Sequence, residues 1–327
     1  MTSLIVPLHL TPSYVVSPDG LPFLAAQMLP LPQFGDVPLA EVWPARREPE
    51  RGLTNGIAWS HDGEVLFGTV SAERGDIEAM TRDVYARSIA FARDAGYPYI
   101  LRMWNHVGGI NVVDGGRERY HLFCAGRHDA FAEAGYHLST DLPSASAVGM
   151  QGRGLMTYFL AARAPGEQIE NPRQVAAYHY PPKYGPKSPS FSRATVFGET
   201  VFVSGTSSVV GHASVHVGDV EAQLDETLRN IDAVLARGIA GGSLANVVAA
   251  KTYVRRREDH PLVARRLETV FATNLILEAD ICRGELLIEI EAVARVGSDD
   301  QPTGMRMRTR AVTPGSGQAT FTHPDPA

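Results

Sequence analysis

The sequence predicts an α+β fold built as an internal duplication: two ββαβαβ halves, with mixed sheets and helices packed on one face. Three observations predict it. The order hairpin, helix, strand, helix, strand runs once before residue 165 and again after residue 193. The helical stretches are apolar at a 3.6-residue period, whereas the strands alternate. The second run ends in Glu285-Leu-Leu-Ile-Glu-Ile-Glu-Ala-Val-Ala-Arg-Val296, which has the period-two pattern of a strand. There Leu286, Ile288, Ile290, Ala292, Ala294 and Val296 fall on one side. Glu285, Glu289 and Glu291 share the other with Leu287 and Val293, so one face reads as core and the other as acidic.

After an irregular, Pro-rich start over residues 1–50, the first half reads as a strand over Asn55–Ser60, a turn at Asp62-Gly63 and a strand over Glu64–Val70. A helix over Asp76–Ala95, a strand over Tyr99–Trp104, a helix near Glu118–Ala134 and a strand near Gly154–Arg163 follow. The second half repeats the order. Its hairpin spans Ala194–Val203, turning at Gly198-Glu199, and its helix Val220–Arg237 is apolar at Val220, Leu224, Leu228, Ile231 and Leu235. A strand over Val247–Val254, a helix over Pro261–Asn274 with Pro in its first turn, and the Glu285–Val296 strand complete it. The expected organisation is therefore a degenerate first half (1–165), an ordered connection (166–193), a catalytic second half (194–297) and a disordered polar tail (298–327). The run Ala177–Arg193 is too rich in Pro and aromatic residues for a flexible linker and reads as an ordered, partly extended lining. Aligning Arg163 with Arg295 sets Thr157 opposite Glu289 and Phe159 opposite Glu291, so one site per chain is expected, in the second half.

Composition narrows the function. A formal net charge of −6, with Arg255-Arg-Arg257 as the only basic cluster and Glu258 and Asp259 directly after it, argues against a nucleic-acid partner. Apolar stretches are interrupted well before the ~20 residues of a membrane span, and no basic segment precedes an apolar one. A cytoplasmic location is expected. Cys124 and Cys282 lie far apart without metal-ligand spacing, and no phosphate-binding glycine motif occurs, so no metal, no cofactor and no disulfide is expected.

On residue type alone, Glu289 beside apolar wall residues suits a general acid, although a solvated polar face would show the same spacing. Glu291 lies ~7 Å further along that face. Arg193 opens the second hairpin, where a guanidinium could hold a carboxylate through two hydrogen bonds, and Arg127 is a second clamp candidate. Gly205-Thr206 would let backbone approach a ligand closely. Tyr178, Tyr180 and Tyr184 could line a flat apolar pocket, and Cys282 by itself reads as a small buried hydrophobe.

The hairpin, the helix Val220–Arg237 and the Ile-Glu-Ile-Glu-Ala strand resemble the YjgF/Rid family, in whose chorismate mutase-like fold the first Glu of that strand faces the cleft between halves or subunits. Further segments resemble the chorismatase family: Leu101-Arg-Met-Trp-Asn-His106, Glu118-Arg-Tyr120 with Phe123 and Ala125-Gly-Arg127, Tyr184-Gly-Pro-Lys-Ser-Pro-Ser-Phe-Ser-Arg193, and Ser204-Gly-Thr206 with Gly211-His212. The likeness covers roughly residues 50–297. It implies cleavage of the enolpyruvyl ether of chorismate with Glu289 as the acid. A Cys at the position of Cys282, with Gly205 as its small companion, implies the branch that makes 3-hydroxybenzoate and pyruvate, with 4-hydroxybenzoate as a potential second product. Arg193, Arg127, Tyr120, Tyr178, Tyr180, Tyr184, Gly205 and Thr206 are the implied substrate site, and chorismate is the expected partner of a monomer or homotrimer. The family's hydrolases, which form a dihydroxycyclohexadiene carboxylate, are one rival; Rid imine deaminases and a non-catalytic binding module are others. Asn274 stands where the Rid enzymes carry an arginine, which argues against imine chemistry.

Overall fold

The computed structural model describes residues 23–34, 39–296 and 308–311. Of the expected irregular start, residues 1–22 and 35–38 lie outside the described residues, and the remainder is more regular than expected: β1 (Phe23–Met28) and β2 (Leu39–Pro44) pair antiparallel. Alternation along β2 sends Glu41 and Trp43 into the interior, both fully buried. The Pro residues that suggested irregular chain flank these strands, and Pro44 ends one.

The first half follows as β3 (Glu50–Thr54), β4 (Ile57–His61) and β5 (Val65–Ala72). Asp62 closes the β4–β5 turn by accepting from the N–H groups of Glu64 (3.1 Å) and Val65 (3.0 Å), and Gly63 takes the left-handed conformation at φ +88°. Helix α1 (Ile77–Asp94) starts at Asp76, whose carboxylate accepts from the N–H of Ala79 at 2.8 Å. It lays Ile77, Met80, Val84, Tyr85 and Ile89 on the sheet. Next come β6 (Tyr99–Gly108), the small hairpin β7 (Val113–Asp114) and β8 (Arg117–Glu118), α2 (Arg119–Glu133), β9 (Ser144–Met150) and β10 (Leu155–Ala162).

The second half comprises β11 (Glu167–Ile169), β12 (Ala194–Phe197), β13 (Thr200–Ser207), the short pair β14 (Val209–Val210) and β15 (Ala213–Ser214), and α3 (Val220–Gly238). Strand β16 (Val247–Val254), α4 (His260–Leu267), β17 (Asn274–Glu278) and β18 (Ile288–Arg295) complete it. The spatial orders β3-β4-β5-β10-β6-β9 and β11-β12-β13-β18-β16-β17 correspond strand for strand, which is the duplication seen in three dimensions. Each half adds two strands to the expected order, one at each sheet edge: β3 and β11 antiparallel to β4 and β12, and β9 and β17 parallel to β6 and β16. The helix expected over Pro261–Asn274 stops at Leu267, because Val270, Phe271 and Thr273 favour extended chain and Leu275 and Leu277 alternate inward. In the polar tail, Arg308–Ala311 forms β19 on β2; the rest of the expected disordered segment lies outside the described residues.

Each sheet packs its helices on one face and turns the other toward its counterpart. The inter-sheet core joins Trp104, Tyr158 and Leu160 of the first half to Phe202, Tyr253 and Val293 of the second. Trp43 closes it from β2, with ring centroids 5.2 Å from Trp104 and 6.2 Å from Phe202. Among the described residues no helix is long and apolar enough to cross a membrane.

Strand register corrects the pairing of halves. Val65 pairs with Ala162 as Thr200 pairs with Arg295, and β10/β6 and β18/β16 carry matching irregularities. Met156 therefore stands at the position of Glu289 and Tyr158 at that of Glu291. Thr157 matches Ile290 instead and points toward α1, where its hydroxyl donates to Asn105 Oδ1 at 3.0 Å. The expected alignment slipped by one residue, and one residue exchanges the two faces of a strand.

Candidate active site

The acidic face of β18 is not solvated: it is the inter-sheet face, and Glu289 and Glu291 are each only 3% exposed. The strand begins at Ile288, so Glu285 leaves it and stands at the cleft rim, accepting from Ser214 Oγ at 2.8 Å. The cleft opens where the two halves meet. Tyr120 of α2 lines it from the first half; Tyr180, Tyr184, Phe191 and Arg193 of the connection and Gly205, Ser207, Cys282 and Glu289 line it from the second.

Glu289 sits on β18 between Ser207 of β13 and Tyr253 of β16. Burial first, and the charge of Glu291 second, push its carboxyl up to about 8, so it holds its proton at neutral pH. Gly205 makes room for it: a Cβ there would overlap Glu289 Oε1. The β13–β18 register breaks between Val203 and Thr206, and this bulge brings the glycine backbone against the carboxyl. The Cys282 thiol donates toward Glu289 Oε2 at 3.9 Å. Burial and then the Glu289 charge push that thiol up to about 12, so it is a neutral proton carrier rather than a thiolate.

Two residues along, Glu291 has the opposite character. It meets Lys251 Nζ at 2.7 Å, Arg102 at 2.9 Å and the Trp104 indole N–H at 2.7 Å, and accepts from the Ser146 hydroxyl. Burial alone would raise it, but the Lys251 and Arg102 charges and the hydrogen bonds outweigh that and hold it at about 2. Lys251 also pairs with Glu41 at 2.8 Å, and Tyr158 donates to the same Glu41 oxygen at 2.7 Å.

Arg193 is buried; it donates to the Val175 carbonyl (2.9 Å) and the Tyr180 hydroxyl (2.8 Å) and lies over the rings of Tyr180 and Phe191. A second cation, Arg283, shares the cleft. It covers the Tyr184 ring at 4.1 Å and that of Tyr180 at 5.2 Å, and is held by the His212 carbonyl at 2.9 Å. Tyr184 is fixed by its own bond to that carbonyl at 2.7 Å.

The structure thus brings together Glu289, Cys282, Gly205, Arg193, Tyr120, Tyr180 and Tyr184. It does not bring Thr206, Tyr178 or Arg127 to the cleft surface. Thr206 pairs with Ile290 on the helix-facing side and donates to the Ser204 carbonyl at 2.8 Å. Tyr178 packs edge-on against His179. Arg127, read from sequence as a clamp, is buried behind the wall under Phe123 and Phe191, with Cys124 Sγ at 3.7 Å. Arg283, Ser207, Ser146, Arg102, Lys251 and Glu41 were not read from sequence as site residues. Two carried a usable signal: a lysine in the otherwise apolar strand Val247–Val254, and an arginine directly after Cys282.

Comparison with known proteins agrees with this architecture. The family model "Chorismatase FkbO/Hyg5-like, N-terminal" matches residues 41–161, and the model "Endoribonuclease L-PSP" matches residues 186–296. A 3-hydroxybenzoate synthase of Streptomyces hygroscopicus is 41% identical over 278 residues, 78% of this chain and 81% of that protein. A chorismatase of Streptomyces rapamycinicus is 40% identical over 279 residues, 79% of this chain and 83% of its own length. A chorismatase crystal structure superposes with a TM-score of 0.74 at 38% identity, covering 78% of this chain and 82% of that one. With two matched regions, relatives at this identity and a common fold, the chain belongs to the chorismatase family.

Proposed function

We propose that the protein cleaves chorismate to pyruvate and 3-hydroxybenzoate, with 4-hydroxybenzoate as a second product, using Glu289 as general acid. The observation that carries this reading is the environment of Glu289: a buried carboxyl raised to about 8, set against Gly205 and a neutral thiol in a cleft that holds two arginines. Chorismate is an activated enol ether. A carboxylic acid at its side-chain methylene gives an oxocarbenium ion, the ring-side C–O bond breaks with its electrons going to the pyruvate carbonyl, and the Glu289 carboxylate then takes back a proton. Arg193 and Arg283 answer the two substrate carboxylates. Pyruvate plus hydroxybenzoate equals chorismate with no net water, so the ring hydroxyl supplies the oxygen that stays on the ring. It closes on the carbon that lost the ether as its proton passes to the Glu289 carboxylate, and its original C–O bond then opens. Loss of the ring proton from the newly oxygenated carbon gives 3-hydroxybenzoate, whereas direct proton loss without this migration gives 4-hydroxybenzoate. The aromatic walls and Cys282 favour that internal route over attack by water. We further read the protein as cytoplasmic, in keeping with its two free cysteines, and as a monomer or homotrimer. Incubating pure protein with chorismate and weighing the ring product tests the reading. Hydroxybenzoate supports it, a ring acid heavier by one water assigns a hydrolase, and turnover of 2-aminoacrylate without chorismate cleavage assigns an imine deaminase.

A further inference from the structure

Glu289 and Glu291 lie two residues apart on one strand face, yet they are solvated by the protein in opposite ways. Four donors converge on Glu291: the Lys251 ammonium, the Arg102 guanidinium, the Trp104 indole and the Ser146 hydroxyl. Such a set fits only an ionised carboxylate. Among the described residues Glu289 makes no ion pair, and its polar neighbours in the cleft are the Ser207 hydroxyl and the Cys282 thiol, the latter at 3.9 Å. The array continues away from the cleft. Lys251 joins Glu291 to Glu41, with 2.7 Å on one side and 2.8 Å on the other, so the array extends to β2, where burial raises the Glu41 carboxyl above its ordinary value against the pull of Lys251.

We infer that Glu291 is a positioning residue, a fixed negative charge held by Lys251 and Arg102 that acts through Glu289 by keeping the proton on it. A negative charge about 7 Å along a buried strand opposes ionisation of its neighbour. Of the two bases that stabilise it, Lys251 is shared with Glu41, which limits its pull on Glu289. The other titratable or charged groups facing Glu289 or sharing its cleft are Tyr253 across β16, Cys282 and Arg255 from the loops, Arg193 and Arg283 across the cleft, Tyr120 and His121 of α2, Tyr180 and Tyr184 of the connection, and the rim carboxyls of Glu118 and Glu285. The guanidinium groups of Arg102 and Arg255 favour ionisation of Glu289, and the charge of Glu291, added to burial, works against them.

The inference rests on Glu289 being the acid, and the pH dependence of kcat/KM for chorismate separates the two. Activity of the parent should fall on the alkaline side as Glu289 loses its proton. Glu291→Gln leaves Arg102 unopposed and Lys251 paired with Glu41 alone, and should move that limb at least one pH unit lower, a loss of about tenfold per unit on the alkaline side, with activity returning toward the parent at acid pH. Glu41→Gln, far from the cleft, should move the limb the same way by less. It also keeps the test decisive if Glu291→Gln does not fold. Limbs at the parental pH in both variants, or a folded Glu291→Gln inactive at every pH, overturn the inference while leaving Glu289 as the acid. Full activity of Glu289→Gln instead overturns the reading on which the inference stands.

Discussion

The carboxyl oxygen Oε1 of Glu289 occupies the space that a Cβ on Gly205 would need. The backbone at Gly205 does not have a positive φ, so the requirement for glycine comes from this contact and not from conformation. Gly205→Ala should therefore fold, with stability lowered by about 1–3 kcal/mol for overpacking, and should displace the acid from its working position. The expected result is a fall in kcat of ~10-fold or more, because small misplacements of a reacting group are costly. Pyruvate release followed beside thermal unfolding checks it; unchanged kcat would show that the carboxyl has room to move.

Cys282 should steer the ring after the ether is activated. Its thiol is neutral, since burial and then Glu289 push it up to about 12. Cys282→Val keeps a small hydrophobe and the fold but removes a proton carrier beside the ring. Pyruvate release should continue, while the ring product shifts from hydroxybenzoate toward the dihydroxycyclohexadiene acid. Mass spectrometry of both ring products decides; an unchanged hydroxybenzoate fraction would reduce Cys282 to packing.

Much of the site was legible because its residues sit in local patterns. The Ile-Glu-Ile-Glu strand, Asp76 as a helix cap and Val247–Val254 are all readable within a short window. The partners of Glu291 are not. Glu41 and Lys251 are 210 positions apart, and nothing local says that β2 meets β16. Thr157 shows a different limit: aligning two halves by a terminal arginine is accurate to about a residue, and in a strand one residue decides which face a side chain takes. The parallel strand β9 was missed because its small residues, such as Ser144-Ala-Ser-Ala147, lack the β-branched alternation that marks a strand, and β17 because the helical pattern opening at Pro261 was carried on to Asn274, where the strand begins.

Arg193→Ala and Arg283→Ala should each raise KM for chorismate by at least tenfold with a smaller effect on kcat, because a carboxylate clamp acts in ground and transition states alike. Arg283→Ala also uncovers the Tyr184 ring. If either variant binds chorismate as the parent does, that arginine is structural, and Arg127 behind the wall becomes the next candidate.

Stability should carry the sign of the raised carboxyl. The ordinary value of Glu289 is 4.5 and in the folded protein it is about 8. The folded state therefore binds this proton more tightly than the unfolded chain does. The stabilisation is complete below the unfolded value and is lost as pH rises through the folded one, at up to about 1.4 kcal/mol per pH unit. Glu289→Gln lacks this dependence, so its stability relative to the parent should improve from about pH 5 to about pH 9 in urea unfolding. A constant difference would mean that Glu289 ionises normally in the folded protein. Glu291, held at about 2, contributes with the opposite sign, and its stabilisation is lost as pH falls from 4.5 toward 2.

Glu289→Gln assayed with chorismate tests the central claim most directly. The amide keeps the shape of the side chain and removes the transferable proton, so chorismate should still bind while pyruvate release falls by ~10²–10⁴-fold. Pyruvate release within a few-fold of the parent, from a variant that binds chorismate equally well, would contradict the assignment of Glu289 as the acid.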